Sequence, residues 1–452
     1  MAEHSSLAAT ISGLQRRLGR NEFSVAEALA HQSKLATQIA ARYQCIVHMH
    51  NMPERARTTG RLAGIGLAHK DIFETENRRP ACGSTSQLPG PPTGNAAAIE
   101  RLARAGASNL AALAMAEFAC GTTGENPNGP EPINPVDSEA VVGGSSSGSA
   151  VAVAAGLCYA SLGTDTGGSV RIPAATCGIV GLKPTYDLIP RFGVYPLAES
   201  LDCVGILARS AADVAHVLAA VSARDTSLRQ ASAIPDRIEE YLLTNRRWRI
   251  NTHLESSDLA PEVAEVLSAM TKSLARTAQV REVALPAIDV MTHCAQALLH
   301  AEASAVHREA LTNAPVSLAP PTRAVVAPGV AIPTEWIKQA TARRGEYAKV
   351  FARDCLADAD VLLVPALPRR VPDWSVVHTR SPQFDVHELL ALYRWMPFVN
   401  YLGFPAIVFP VGLDNRNRPV CVQAIARPYC ESTLLSLTYQ MERAFHGTTG
   451  FL

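Results

Sequence analysis

The chain alternates short apolar segments with longer stretches that repeat apolar residues at helical spacing. The segment from Gly60 to Phe73 alternates small and apolar residues and predicts a strand that ends at His69-Lys70-Asp71. Val361–Pro365 and Ala406–Pro410 predict short buried strands, whereas Pro261–Ala278 predicts an amphipathic helix. Strands that alternate with helices are typical of α/β proteins. We therefore expect a mixed, mostly parallel central sheet covered by helices on both faces.

The composition adds little to this picture but excludes several functional classes. Hydrophobic residues make up 47% of the 452 positions and charged residues 18%, which favours a large buried core over disorder. Lys plus Arg and Asp plus Glu are both 41, so the chain has no net charge with which to attract nucleic acid or an anionic membrane surface. No linker or internal repeat marks a domain boundary. We expect one domain over residues 1–452, with variable insertions at about 222–260 and 312–333.

One uncharged stretch, Ala140 to Thr164, is long enough to span a membrane but contains five serines and five glycines. That composition favours loops and turns over a lipid-facing helix. The N-terminal sequence lacks the basic and apolar regions of a signal peptide, and the ten cysteines form no Cys-x-x-Cys pair. We therefore expect a soluble, cytoplasmic protein with reduced thiols, no metal site and no membrane partner.

Two clusters of glycine and serine, at residues 143–149 and 167–169, lie between strongly apolar flanks. These flanks argue against a flexible linker, and the chain has neither a P-loop nor a Gly-x-Gly-x-x-Gly sequence to bind phosphate. Residues 144–148 match the Gly-x-Ser-x-Gly turn of α/β-hydrolases, which would make Ser146 a nucleophile. No His-Gly-Gly-Gly sequence accompanies this turn. An esterase of the α/β-hydrolase class stays an alternative.

A longer and more specific resemblance covers both clusters. Gly-Gly-Ser-Ser-Ser-Gly-Ser-Ala at 143–150 precedes Gly-Thr-Asp-Thr-Gly-Gly-Ser-Val-Arg-Ile-Pro-Ala at 163–174 and Cys-Gly-Ile-Val-Gly-Leu-Lys-Pro-Thr at 177–185. In this order the segments resemble the amidase signature family, and the resemblance is densest from about residue 62 to 205. It extends upstream to Lys70-Asp71, Glu117-Phe118-Ala119 with Gly121, Glu125-Asn126-Pro127 and Asn134-Pro135, and downstream to Asn400 with Gly403-Phe404-Pro405-Ala406 and to Val422-Gln423. The resemblance implies the α/β fold of that family.

The family uses a Ser–cis-Ser–Lys triad. The resemblance implies that Lys70 is the base, that Ser145 is the bridging serine after a cis peptide bond, and that Ser169 is the nucleophile. A serine hydroxyl attacks a carbonyl readily only when a base takes its proton. Lysine can act as that base only when neutral, and burial lowers its pKa from about 10.4. The uncharged Gly, Ser and Ala residues nearby would supply that burial, and no cofactor is required. His69 is expected not to be the base.

Other residues of the same segments are expected to support the reaction. The resemblance implies an oxyanion hole built from the backbone N–H groups of Thr166, Gly167, Gly168 and Ser169. Glycine in such a loop lets the backbone approach the developing oxyanion closely. Asp165 and Arg171 are expected to form an ion pair that steadies the loop. Three candidate substrate-binding residues lie in the upstream segments: Gly121, Thr122 and Gly144.

The substrate class is less constrained by the sequence than the reaction is. An apolar and aromatic bias in the later part of the chain favours a neutral, partly hydrophobic substrate. We expect the substrate pocket to be lined by residues of 296–344 and 393–404, among them Tyr393, Trp395, Phe398 and Tyr401. We expect hydrolysis of small-molecule amides, anilides or carbamates through a Ser169 acyl-enzyme, with esterase activity as a side reaction. The alternatives are a glutaminase-type subunit of a tRNA-dependent amidotransferase and a non-catalytic binding subunit. The resemblance allows a homodimer.

Overall fold

The computed structural model describes residues 8–51, 57–86, 88, 90–222, 235–244, 246–254, 258–285, 287–314 and 317–445. Its strands are β1 Ile46–Met49, β2 Gly66–Lys70, β3 Ser108–Leu113, β4 Ala160–Asp165, β5 Val180–Lys183, β6 Cys203–Ala208, β7 Arg249–Thr252, β8 Gln279–Glu282, β9 Val361–Pro365, β10 Ala406–Leu413 and β11 Pro419–Ile425. Strands from every part of the described chain therefore contribute to the sheets.

The helices of the N-terminal half are α1 Ile11–Gly19, α2 Val25–Tyr43, α3 Ala97–Arg104, α4 Ser147–Ala154, α5 Arg171–Thr176 and α6 Ala211–Val221. Those that follow are α7 Pro235–Leu242, α8 Pro261–Leu274, α9 Ile288–Val306, α10 Arg308–Asn313, α11 Pro320–Val326, α12 Thr334–Phe351, α13 Trp374–Val377, α14 Val386–Ala391, α15 Pro397–Leu402 and α16 Glu431–Phe445. None of these helices is both long enough and apolar enough to cross a membrane.

The larger sheet has eight strands in the order β4-β6-β5-β10-β11-β9-β7-β8. The predicted mixed α/β sheet with flanking helices is thereby confirmed, but the prediction that it is mostly parallel is wrong. Its pairings β4–β6, β5–β6, β5–β10, β10–β11 and β9–β11 are antiparallel, and in the described chain only β7–β8 and β7–β9 are parallel. Helices that intervene between strands do not fix strand direction, because a strand can return to the sheet from either end.

Local sequence explains several elements directly. Ser24 caps α2: its Oγ accepts from the Glu27 N–H, and the Glu27 carboxylate accepts from the Ser24 N–H at 2.7 Å. Such a reciprocal pair satisfies two donors that a helix start would otherwise leave open. The apolar face of α8 is buried at Val263, Leu267, Met270 and Leu274, as its spacing predicts. β9 coincides with the predicted strand Val361–Pro365, and all five of its residues are buried.

A second, three-stranded sheet with the order β1-β3-β2 lies against the first at the β2–β4 edge. Two side chains of β2 bridge the sheets, since Lys70 donates to Thr164 and the His69 ring accepts from the Leu162 N–H. The uncharged stretch 140–164 contains α4 and most of β4. The segment 222–260 includes β7, which pairs with both β8 and β9 in the larger sheet. Residues 223–234, 245 and 255–257 of that segment lie outside the described part of the chain.

Candidate active site

Lys70 ends β2 and points into the contact between the two sheets. Its side chain is buried, with 1% of its surface exposed. Nζ donates to the Ser145 hydroxyl and to the Thr164 hydroxyl, each at 2.8 Å. A buried ammonium would need strong compensation for its lost water, and two neutral hydroxyls provide little. The surroundings of Lys70 therefore favour the neutral amine.

Ser145 begins the segment that leads into α4, and the Gly144–Ser145 peptide bond is cis. Ser145 is completely buried, and its carbonyl oxygen accepts from the Ala116 N–H at 3.1 Å. Gly144 packs so tightly that a Cβ atom there would lie 2.8 Å from the Gly121 oxygen, and its N–H donates to the Thr122 oxygen at 2.7 Å. The structure thus brings the three candidate substrate-binding residues Gly121, Thr122 and Gly144 together beside Ser145.

Ser169 lies in the loop between β4 and α5, hereafter the 165–170 loop. Its carbonyl oxygen accepts from the N–H of Ser146, the residue that follows Ser145. Ser169 is 8% exposed, whereas Ser145 and Lys70 are almost fully covered. Of the three triad residues that the sequence predicts, Ser169 is therefore the one that an incoming substrate can reach most readily.

Asp165 organises the 165–170 loop from within. Its carboxylate accepts from the Gly168 N–H at 2.8 Å and from the Val170 N–H at 3.1 Å. Arg171 pairs with the same carboxylate at 2.8 Å, and both side chains are completely buried. Burial raises the pKa of Asp165, but the Arg171 charge and hydrogen bonds outweigh burial and hold that pKa below its usual range. A buried, multiply bonded carboxylate of this kind fixes the backbone around it.

Two residues from the C-terminal part of the chain, Asn400 in α15 and Gln423 in β11, also bind Arg171 and so help to anchor the loop. Arg171 donates to the Asn400 side-chain oxygen at 2.6 Å and to the Gln423 side-chain oxygen at 2.5 Å. The Asn400 amide donates in turn to the Asp165 carbonyl at 2.8 Å. All three side chains are fully buried. The 165–170 loop is therefore held from α15 and β11 as well as from its own ends.

The four proposed oxyanion-hole residues differ in how their N–H groups are used. The Gly168 N–H donates to Asp165, so it is already occupied. Within the described chain, the N–H groups of Thr166, Gly167 and Ser169 have no protein acceptor. A Cβ atom on Gly167 would make ordinary van der Waals contact with Leu299 Cδ1 at 3.9 Å and Pro397 Cγ at 4.0 Å, so apolar side chains lie on that side of Gly167. N–H donors without a protein acceptor are what an oxyanion hole needs.

Burial lowers the pKa of Lys70 to about 7, while the carboxylates of Asp202 and Asp165 act in the opposite direction. Burial also lowers the pKa of His69 to about 3, and its Nδ1 accepts from the Leu162 N–H at 3.0 Å. The thiol of Cys177 has its pKa raised to about 12 by burial, and that of Cys120 is raised further. Near neutral pH, Lys70 is thus the group of this set that can exchange a proton.

Ser146, the nucleophile of the α/β-hydrolase alternative, is completely buried at the start of α4. Its hydroxyl donates to the Thr164 carbonyl at 3.3 Å. No histidine ring forms a hydrogen bond with it among the residues that the structure describes. A serine without a base and without access to solvent is a packing residue. The geometry therefore favours the Lys70 site over the Ser146 site.

The expected aromatic pocket is largely absent from the described structure. Trp395, Phe398 and Tyr401 are each at most 2% exposed and belong to one apolar core cluster. The Tyr401 hydroxyl is used in a 2.5 Å hydrogen bond to the Ala340 carbonyl. The prediction that these three line a substrate pocket is wrong, because their side chains pack into the apolar core from α15 and from the residues just before it. Tyr393 is half-buried beside a different cluster.

Sequence reasoning gave no role to two residues that touch the site. Thr164 is the second partner of Lys70, and Asp202 accepts a 2.6 Å hydrogen bond from the Thr166 hydroxyl. Thr164 lies inside the Gly-Thr-Asp-Thr segment, so its position in the motif was a usable signal. Asp202 lies 36 residues from Thr166 and stands outside both Gly/Ser clusters, so no local pattern pointed to it.

Comparisons with known proteins show which family the chain resembles. The family model described as Amidase matches residues 22–435. A glutamyl-tRNA(Gln) amidotransferase subunit from Chromohalobacter salexigens is 34% identical over 428 residues, covering 86% of this chain and 85% of that protein. The protein named "Putative amidase AmiD" from Mycobacterium bovis is 32% identical over 401 residues, covering 88% and 82%.

Among solved structures, one described as the crystal structure of an amidase superposes with a TM-score of 0.83 at 28% identity and covers 96% of this chain and 99% of its own. Together with the family match, these similarities show the class: an amidohydrolase that acts on carbon–nitrogen bonds. The chain belongs to the amidase family, also called the amidase signature family. The fold and the enzyme class expected from the sequence are confirmed.

Proposed function

We propose that Ser169 attacks the carbonyl carbon of an amide, anilide or carbamate while Lys70 accepts its proton through Ser145. The observation that carries this proposal is the 2.8 Å hydrogen bond from Lys70 Nζ to Ser145 Oγ in a buried site. Only a neutral lysine can take a proton, and burial brings the pKa of Lys70 to about 7. The lysine is thus available as a base near neutral pH.

The reaction follows from these positions. Ser169 Oγ forms a bond to the carbonyl carbon, its proton passes to Ser145 and the Ser145 proton passes to Lys70. The negative charge on the carbonyl oxygen is met by the free N–H groups of Thr166, Gly167 and Ser169, each such donor being worth about 3 kcal/mol. The carbon–nitrogen bond then breaks as Ser145 protonates the amine. Water cleaves the acyl-enzyme by the same proton path in reverse and releases the acid.

The substrate class rests on the side chains that border the 165–170 loop. Leu299 and Pro397 lie closest to Gly167, at 3.9 and 4.0 Å from a Cβ placed there, and Met396 packs against Gly168. Of these three side chains Leu299 is partly exposed, whereas Pro397 and Met396 are buried. An apolar rim formed by Leu299 beside a hydrogen-bonding loop suits a neutral substrate with a hydrophobic group next to the carbonyl. We therefore favour acyl anilides and carbamates, with the matching esters as side substrates.

A glutaminase is the second candidate, because subunits of glutamyl-tRNA(Gln) amidotransferases are among the relatives at 30% identity or more. In that case the substrate would be the side-chain amide of glutamine, and this chain would act with other subunits. Glutamine carries two charges that an apolar rim does not neutralise. The rim therefore favours the first candidate.

The test compares four substrates with the purified protein: an acyl p-nitroanilide, a p-nitrophenyl carbamate, a p-nitrophenyl ester and glutamine. Release of p-nitroaniline or p-nitrophenol, abolished in S169A and K70A, is the expected result. S146A is the matched control and is expected to keep the activity within about tenfold of wild type, because Ser146 packs away from solvent. Activity that survives S169A but not S146A would overturn the assignment of the nucleophile. Ammonia released from glutamine alone would select the second candidate.

Labelling with a fluorophosphonate, followed by peptide mass spectrometry, separates the site from the substrate. Wild type is expected to carry the label on Ser169, and K70A is expected to label far more slowly. A protein that labels at Ser169 but hydrolyses none of the four compounds would retain the proposed site and discard the proposed substrates. Absence of any label on Ser169 would discard the site.

A further inference from the structure

Asp202 directly precedes β6 and reaches the 165–170 loop from outside the triad. Its carboxylate accepts from the Thr166 hydroxyl at 2.6 Å and from the N–H groups of Leu197 and Ala198 at 2.9 and 3.1 Å. It is 9% exposed. The two backbone groups can only donate, and they fix the carboxylate in place. Thr166 is thereby tied to the segment that leads into β6.

Asp202 differs from Asp165 in its charge balance. Asp165 is neutralised by Arg171 at 2.8 Å. In the described part of the chain, Asp202 forms no ion pair within 4 Å, although its three hydrogen bonds stabilise a negative charge. Burial is the largest influence on Asp202 and raises its pKa above the usual range, while the hydrogen bonds from Thr166, Leu197 and Ala198 and the more distant charge of Arg191 act in the opposite direction. The loop thus has one carboxylate in direct contact with a cation and one that is not.

Four ionisable groups act on Lys70. They are Asp202, Asp165, Cys82 and Cys120, with Asp202 first. Burial keeps both thiols protonated, because it raises the pKa of Cys82 and of Cys120 well above the usual range. The charge of Asp165 is largely balanced by Arg171. Asp202 is therefore the main negative charge that opposes the loss of a proton from Lys70.

A cavity of about 410 Å³ borders both Asp202 and Thr164, the second partner of Lys70. The same cavity is lined by Asp187, Arg191 and Tyr195. Asp187 is two-thirds exposed and lies 3.7 Å from Arg191. Three carboxylates, those of Asp187, Glu199 and Asp202, thus border one cavity. Of these, Asp202 is the one that bonds to the 165–170 loop in the described chain.

We propose that Asp202 is a positioning residue with two separable effects: it holds Thr166 in the 165–170 loop through the hydroxyl, and it supplies an unpaired negative charge that favours protonated Lys70. This inference rests on the proposed function of Lys70 as the base. The tether would keep the Thr166 and Gly167 N–H groups in register for the oxyanion. The charge would set the pH at which the enzyme becomes active.

Asp202→Asn tests the charge. Asparagine has the same shape, and its oxygen can keep the backbone N–H groups while its NH₂ donates to the Thr166 hydroxyl. Without the charge, Lys70 releases its proton at lower pH. The acid limb, which is the rise of kcat/KM with pH on the acid side of the profile, should therefore shift to lower pH by roughly one unit. Asp187→Asn makes the same change in the same cavity and should leave the limb in place. An acid limb that stays at the wild-type pH in D202N would overturn the charge effect.

Thr166→Val tests the tether, since valine keeps the shape and removes the hydroxyl. Its kcat should fall by roughly tenfold with the acid limb unmoved, and Thr166→Ser should restore most of the loss. A T166V enzyme as active as wild type would overturn the tether. If the thermal unfolding transition shows that D202N does not fold, the T166V measurement still tests the tether by itself.

The wild-type experiments separate this inference from the proposed function. If S169A remains active or wild type shows no acid limb near neutral pH, the proposed base and nucleophile fail, whatever Asp202 does. If wild type behaves as proposed and D202N and T166V match it in both pH profile and kcat, only the role of Asp202 fails.

Discussion

Two lysines are buried at the ends of two strands, and their surroundings differ. Lys70 ends β2 and Lys183 ends β5, and neither exposes more than 1% of its surface. Lys70 donates to the hydroxyls of Ser145 and Thr164, both at 2.8 Å. Lys183 donates to the Pro184 carbonyl at 2.8 Å and lies 3.7 Å from the Cys203 sulfur. Burial lowers the pKa of both.

The comparison shows that burial alone does not make a lysine a catalytic base. A carbonyl oxygen can accept a hydrogen bond but has no proton to pass on, whereas a hydroxyl accepts one proton and releases another. Under the proposed function, Ser145 gives Lys70 a proton path to Ser169. The partners of Lys183, the Pro184 carbonyl and the buried Cys203 thiol, bond to none of the triad residues within the described chain.

The largest expected difference is between the two lysine-to-methionine variants. K70M should lose at least about 10⁴-fold in kcat/KM, since the base is gone. K183M should stay within about tenfold of wild type but lose about 1–3 kcal/mol of unfolding free energy, because the buried Pro184 carbonyl loses its donor. Anilide or ester kinetics and urea unfolding measure the two effects. Equal losses of activity in both variants would remove the distinction between the lysines.

The pH dependence is the next largest effect. Below the Lys70 pKa of about 7 the lysine is protonated and cannot act as a base. The kcat/KM should therefore rise about tenfold per pH unit up to about pH 7 and then level off, as the neutral fraction does. Rates at fixed ionic strength from pH 5 to 9 measure this. A limb near pH 10, the value of an exposed lysine, would show that Lys70 is not desolvated as the structure implies.

The smallest effect concerns the second partner of Lys70. Thr164→Val removes one of two hydrogen bonds to Nζ without changing the side-chain shape, and a misplaced base should lower kcat/KM by roughly tenfold. The matched control is Thr438→Val, which removes the hydroxyl of a fully buried threonine in α16 that donates to Leu434 at 2.9 Å. T438V should keep the wild-type rate. A T164V enzyme that does so too would leave Ser145 as the sole functional partner.

Much of the fold could be predicted because apolar patterns are local. The bounds of β9 and the apolar face of α8 coincide with the sequence pattern. Strand direction could not be predicted, since it depends on the end of the sheet from which the chain enters each strand. β10 and β11 form an antiparallel hairpin across a short turn, which an alternation of helices and strands does not reveal.

The site residues could be predicted where a sequence motif and a chemical requirement fall on the same residues. Lys70 and Ser145 contact each other across 75 residues, as the family resemblance implies. The aromatic residues near α15 were misassigned, because a large apolar side chain gives the same signal in a core and in a pocket. The role of Asp202 escaped for another reason: a carboxylate that accepts from backbone N–H groups leaves no periodic pattern in the sequence.

The anchor of Arg171 by Asn400 and Gln423 has a consequence for protein synthesis. A ribosome that has reached residue 390 has already made Lys70, Ser145 and Ser169 but not the two side chains that hold Arg171, which lie 229 and 252 residues beyond it. Contacts of such long range form late in folding. A partial chain would therefore contain the proposed reactive groups while Arg171 keeps Asp165 but lacks Asn400 and Gln423. Under the proposed function, full hydrolytic activity would then require the last strands. For the same reason, two fragments of the chain divided before α15 should be active only when they reassemble, so that activity would measure their reassembly.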